Sequence, residues 1–232
     1  MFEYLTDHHL VALIGMGGGI LLGLAARLGR FCTLGAIEDL LYGGSAVRMQ
    51  MWGLAIGVAI VGSFTLSGLG LFDTSESYYL SIRWMPVASV LGGAMFGYGM
   101  ALSGNCGYGA IARLGGGDLR SFVIVLVMGV STYVTLTGPL APLRILLFEQ
   151  IEVTSDLPPG LAHHAARFSG LPLHWVGIGI GAVIILGVLG TGELRRDPKA
   201  MFWSTIVGAA IVSGWAGTSY VNANGFEAMP VV

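Results

Sequence analysis

The stretch Ser103-Gly104-Asn105-Cys106-Gly107-Tyr108-Gly109-Ala110-Ile111-Ala112-Arg113-Leu114 occurs largely twice. Seventy-four positions earlier stands Cys32-Thr33-Leu34-Gly35-Ala36-Ile37-Glu38-Asp39-Leu40, and the shared pattern is C-x-x-G-A-I-x-x-L. The chain's two cysteines both lie in it. Each follows a long apolar run that closes in Gly or Ser and precedes a run of only eight to ten residues. At about 1.5 Å per residue, such a run covers less than half of a hydrocarbon core about 30 Å thick. Each motif therefore reads as a half-helix or re-entrant segment, not as a span.

Outward from the motifs, the composition fixes the class. Of 232 residues, 54% are hydrophobic and 10% charged, and mean hydropathy is +0.78. That describes a polytopic membrane protein, not a soluble domain. A net charge of −2, with no basic or acidic block, leaves no footprint for nucleic acid. Both cysteines sit between apolar segments, which favours free thiols over a structural disulfide. Glu3 and Asp7 stand where a cleavable signal carries basic residues, and the apolar stretch that follows is long enough to span, so this segment is expected to be retained.

Six apolar runs have spanning length: about 9–29, 48–71, 84 to the second motif, 119–137, 171–191 and 200–220. Gly15, Gly19 and Gly23 recur every fourth residue, a spacing that lets helices approach closely in lipid. Asp73 to Arg83 reads as a polar loop, Leu143 to Phe148 as an interfacial helix, and Val221 to Val232 as an irregular tail. Alternating these spans places Arg27, Arg30, Arg48, Arg113, Arg120, Arg195, Arg196 and Lys199 on one side, against Arg83, Arg144 and Arg167 on the other. Eight against three makes the first side cytoplasmic and the N-terminus periplasmic. The alternation holds only if each Cys half-helix enters and leaves on one side or stays within the bundle. The expected fold is an all-α polytopic membrane protein of about six full transmembrane helices plus two short re-entrant half-helices in an internal repeat. Residues 1–232 form a single transmembrane domain, with repeat units of about 9–72 and 84–137, a periplasmic segment at 139–169 and the start of a second half at 171–220.

Irregular backbone at membrane depth survives only where protein buries it or a polar cavity solvates it. Two breaks thus imply a lined interior pathway, and the amides that open a half-helix carry partial positive charge suited to an anion. A thiol there offers a weak S–H donor and a polarizable sulfur without fixed charge. That combination suits a soft sulfur-containing anion which binds briefly and leaves, as conduction requires. The candidate pathway residues are Cys32, Cys106, Gly35, Gly104, Asn105, Gly107 and Gly109. The bland readings stand beside them. Buried cysteine often packs as a small hydrophobe; the glycines serve either close helix packing or exposure of amides; Asn105 is either a helix cap or a pathway donor. Glu38 and Asp39 are read as partners of Arg48, Arg113 or Arg120 rather than proton carriers, Arg27 and Arg30 as topology determinants rather than a substrate vestibule, and Tyr98 and Tyr108 as packing or interfacial rings rather than gates. No cofactor and no metal site is expected.

Taken together, Arg30-Phe31-Cys32-Thr33-Leu34-Gly35-Ala36-Ile37-Glu38-Asp39, Gly104-Asn105-Cys106-Gly107-Tyr108-Gly109-Ala110 with Gly116-Gly117-Asp118-Leu119-Arg120, and Gly214-Trp215-Ala216 resemble the YeeE/YedE family of bacterial inner-membrane sulfur transporters. The resemblance implies an hourglass-shaped helical fold with internal pseudo-symmetry, uptake of thiosulfate, and passage of substrate between cysteine thiols, Cys32 and Cys106 being two of them. It also implies a small cytoplasmic sulfur-carrier protein as partner. Family members typically run longer and carry another Cys motif in their second half, so part of the C-terminal half is expected to be missing here or supplied by a second membrane subunit.

Two other functions compete with a thiosulfate transporter that is not an enzyme. A membrane thiol oxidoreductase would use Cys32 and Cys106 as a redox pair, against which stand the lack of C-x-x-C and of histidines at membrane depth. A soft-metal transporter would add Met49, Met51, Met95 or Met100 to the thiols, but these methionines do not follow the repeat. No ATP-binding motif is present, which points to passive or ion-coupled transport.

Overall fold

The computed structural model describes residues 7–71, 85–148 and 160–225. They form α1 (Asp7–Leu28), α2 (Thr33–Leu41), α3 (Val47–Gly68), α4 (Pro86–Ser103), α5 (Gly107–Gly115), α6 (Leu119–Leu136), α7 (Ala141–Phe148), α8 (Leu161–Ser169), α9 (Leu173–Gly190) and α10 (Pro198–Asn224), with a short 3₁₀ turn at Leu194–Arg196. Six of these segments are long and apolar enough to cross a membrane. The architecture is all-α and polytopic.

These helices are apolar around most of their circumference, so small residues decide which faces meet. A Cβ on Gly53 would stand 2.6 Å from Val188, one on Gly57 2.6 Å from Ile185, and one on Gly68 3.3 Å from His174. Rising numbers on α3 thus meet falling numbers on α9, and the pair is antiparallel. Gly208 of α10 lies against Val58 and Ala55, and Gly62 against Val212, so α3 and α10 run parallel. Gly29 abuts Trp203, Gly217 abuts Ile14 and Gly225 abuts Asp7, which makes α1 and α10 antiparallel. These directions agree with the alternation expected of the first, second, fifth and sixth spans. Ala25, Phe31, Met51, Leu54, Ala55, Leu194, Ala200 and Val207 form the core where α1, α3 and α10 meet. The α4–α7 hairpins pack mainly by α5 on α6 and α6 on α7, and join the rest where α5 meets α1.

Three expectations change. The last span does not stop at 220: α10 runs to Asn224, because Val221 is buried and the helix end lies along the start of α1. The second span ends at Gly68, not at 71, where the chain turns through the left-handed Gly70. The 139–169 segment holds a second helix, α8, opened at Gly160, closed by Gly170 in the left-handed conformation, and packed on α9. At the expected interfacial helix of 143–148 the structure has a helix, α7, with Leu143, Leu146 and Leu147 exposed. The expected Asp73–Arg83 loop and the tail beyond Gly225 lie outside the described residues.

Candidate functional site

Both cysteines occupy the same local position. Cys32 is the N-cap of α2 and Cys106 the N-cap of α5, each in extended backbone conformation before a nine-residue helix. Cys106 Sγ accepts the Gly109 N–H at 3.2 Å, whereas Cys32 makes no such cap bond. The structure brings the two caps together: Cys32 Sγ and Cys106 Sγ lie 3.8 Å apart, as free thiols in S–H···S contact. Their two helix N-termini converge on one point, which concentrates positive dipole ends beside the sulfurs.

An aromatic cluster holds the motifs in register. Phe31, 3% exposed, packs at a tilt of 42° on Trp52 with ring centroids 4.4 Å apart and meets Tyr108 edge-on at 6.4 Å. Tyr108 in turn donates its hydroxyl to the Leu22 carbonyl. Residues flanking one cysteine therefore pack on residues flanking the other, and Tyr108 is the packing ring it was read to be.

The turn into Cys32 is strained and clamped. Arg30 has φ +51°, the only positive value among described non-glycine residues. The Arg48 guanidinium donates from Nε (3.2 Å) and Nη2 (2.9 Å) to the Arg30 carbonyl, and from Nη1 to Asp39 Oδ2 at 3.2 Å. Of the acid–base pairings expected from the sequence, Asp39 with Arg48 is the one formed. The same guanidinium lies flat over Gly35, in the space a Cβ would occupy.

A cavity of about 330 Å³ opens beside Cys32, while Cys106, 3% exposed, lies behind Cys32 and does not line the wall. Arg27, Arg30, Arg48 and Arg113 line it together with Glu38, and Cys32, Gly35, Gly104, Asn105 and Gly109 complete the wall. Among the described residues only Arg48 of the four arginines carries an ion pair. The mouth is thus net cationic, and low-dielectric walls focus such a field on an entering anion. Arg27 and Arg30, read as topology determinants, and Arg48 and Arg113, read as partners of the acids, are lining residues of this cavity. Their signal in the sequence was proximity: Arg27 and Arg30 immediately precede one motif and Arg113 sits inside the other. Beyond the mouth, Asp118 caps α6. Its carboxyl is held below the usual carboxylate range by the Ser121 hydroxyl (2.9 Å) and the Arg120 N–H (3.0 Å).

Not every candidate belongs to this wall. Gly107 faces a second, mostly apolar cavity of about 340 Å³ between α4, α5 and α6, lined by Phe96, Met100, Val127 and Met128 among others. Asn105 borders both cavities. The capping reading of Asn105 is displaced, because Cys106 is the cap. Gly104 supplies the left-handed turn (φ +63°) that ends α4, and Gly109 leaves room for the Asn105 amide, whose Oδ1 would stand 2.5 Å from a Cβ there. No three His, Cys, Asp or Glu side chains gather as a metal site among the described residues.

The model of the family described as "Sulphur transport" matches residues 28–205, which include both Cys motifs and, of the four arginines at the mouth, all but Arg27. The chain belongs to the sulphur-transport family. Similar members include the thiosulfate transporter TsuA of Spirochaeta thermophila, 25% identical over 86% of this chain and 61% of its own length. TsuA of Escherichia coli is 32% identical over 48% of this chain and 30% of its own length. The probable transporter YedE of Salmonella typhimurium is 25% identical over 65% and 35%. Membership of the YeeE/YedE group, read above from the Cys motifs, holds. This sulphur-transport chain aligns with less than two thirds of the length of each of these relatives.

Proposed function

We propose that the chain forms a thiol-lined route by which thiosulfate or a related inorganic sulfur anion enters across the bacterial inner membrane. In this reading the N-terminus is periplasmic, the arginine mouth is cytoplasmic, and the anion is moved without chemical change. The observation that carries it is the 3.8 Å contact between Cys32, which lines a cavity bordered by four arginines, and the buried Cys106 behind it. Thiosulfate has a hard, charged oxygen face and a soft terminal sulfur. Guanidinium groups and helix N-terminal amides hold the first, while polarizable thiols meet the second with no charge to trap it. Sulfate lacks the soft end and gains nothing from the thiols. Cys32, Cys106, Gly35, Gly104, Asn105, Gly107 and Gly109 would border this route. The names of the relatives TsuA and YedE support transport as the activity. Repeat units at about 9–72 and 84–137, with 171–220 opening a second half, fit a pathway completed by further membrane segments, from a second subunit or a longer chain. A cytoplasmic sulfur-carrier protein would receive the cargo at the mouth.

The thiol contact also favours a second reading, a membrane thiol oxidoreductase cycling Cys32 and Cys106 between dithiol and disulfide. Uptake of labelled thiosulfate separates the two, in cells without thiosulfate importers that express this chain, Cys32→Ala or Cys106→Ala. Uptake by the parent that disappears with Cys106→Ala supports the transporter. A membrane-inserted parent that takes up nothing, yet exchanges electrons with a dithiol reductant, supports the oxidoreductase.

A further inference from the structure

Asn105 is 5% exposed, and neither its Nδ2 nor its Oδ1 finds a hydrogen-bond partner. A buried primary amide with both ends unpaired is costly, and a chain that keeps one needs a reason for it. The surroundings make the position deliberate. The Ser103 hydroxyl donates to the Asn105 carbonyl at 3.0 Å, which fixes the backbone between the left-handed Gly104 and the Cys106 cap. The missing Cβ of Gly109 accommodates the amide, and the same empty Cβ position is 3.3 Å from Cys106 Sγ. The amide and the sulfur thus flank one glycine. Asn105 also borders both the cationic and the apolar cavity.

We propose that Asn105 is a substrate-binding residue, its amide NH₂ donating to the oxygen face of the anion while Cys32 and Cys106 meet the terminal sulfur. The proposal rests on the sulfur-anion reading above. Parting of the thiol contact admits the anion, and the anion supplies the partner the amide lacks. An amide serves here better than a cation, because it selects the oxygen face without adding a charge that would hold a dianion.

The test measures protection of the thiols from maleimide by thiosulfate, on the full chain in nanodiscs, for the parent and for Asn105→Ser, Asn105→Ala and Asn105→Asp. Removing one hydrogen bond to a charged ligand should raise the protecting concentration about ten- to a hundredfold in Asn105→Ala. Asn105→Ser, which keeps a small donor, should fall between parent and Ala. Asn105→Asp, equal in shape but with acceptors only, should be worse than Ala. Protection of all four at the same concentration overturns the role of Asn105 and leaves the sulfur-anion reading intact. So does an order in which Asp lies nearest the parent, since that order follows shape alone. A parent that thiosulfate never protects overturns both.

Discussion

Replacing Arg48 should loosen the first cysteine without touching it. Its guanidinium makes two bonds to the Arg30 carbonyl and one to Asp39, and it covers Gly35. A non-glycine residue in left-handed conformation costs about 1–2 kcal/mol, so the turn at Arg30 persists because something holds it. Hydrogen bonds from a charged donor contribute about 1.5–3 kcal/mol each when shielded. Arg48 and Asp39 are 28% and 38% exposed, and screening reduces the three bonds to about 1–2 kcal/mol together. Loss of that support raises the population of the open turn about five- to thirtyfold. Maleimide labelling of Cys32 in the otherwise intact protein should quicken by a similar factor. Labelling tracks the open population when the turn recloses faster than the reagent reacts. Arg48→Lys should behave nearly as badly as Arg48→Ala, since a single ammonium cannot fork between Arg30 and Asp39. Gly35→Ala reaches the same end by another route: the new methyl occupies the guanidinium's place and pushes it off the carbonyl. Arg30→Gly, which removes the strain, should restore slow labelling when combined with Arg48→Lys. Equal labelling rates in parent, Arg48→Lys and Gly35→Ala would refute the clamp.

Two further expectations follow from the geometry. The sulfurs need close only from 3.8 Å to a bond of about 2.05 Å, so mild oxidation with copper phenanthroline should link Cys32 to Cys106 within one chain and stop any uptake until a reductant is added; thiols that both remain alkylatable after oxidation would contradict the contact. On the other side of the bundle, burial and then the neighbouring His164 hold His163 of α8 below its usual pKa of 6.5. The undocked helix therefore takes up a proton more readily than the docked one: docking is unaffected above about pH 6.5 and weakens as pH falls below it. Hydrogen exchange in Leu161–Ser169, corrected for its intrinsic rate, should quicken through that window and should not do so in His163→Gln.

What could be read from the sequence was governed by what leaves a one-dimensional trace. Spans do, since a hydrocarbon core demands some twenty apolar residues in a row, and five of the six ended within about three residues of expectation. The exception, α10, continues to Asn224 because Val221 packs on another helix, and tertiary burial has no local signature. The half-helix caps were legible because the motif is duplicated. Contact between them was not: two equivalent cysteines 74 positions apart fit thiols spaced along a path as well as thiols touching. The deciding residues are Phe31, Trp52 and Tyr108, whose mutual packing carries one motif onto the other.

The arginines show the same limit in electrostatic form. A basic residue at the end of a span is sufficient explanation of topology, so the proximity of Arg27, Arg30 and Arg113 to the Cys motifs does not by itself reveal a lining role. Once the helices are assembled, the four arginines that the side count placed together line one cavity. In the transport we propose, these arginines would attract the anion over a distance, and the uncharged, polarizable thiols with the unpaired Asn105 amide would bind it without the fixed charge that keeps an anion from leaving.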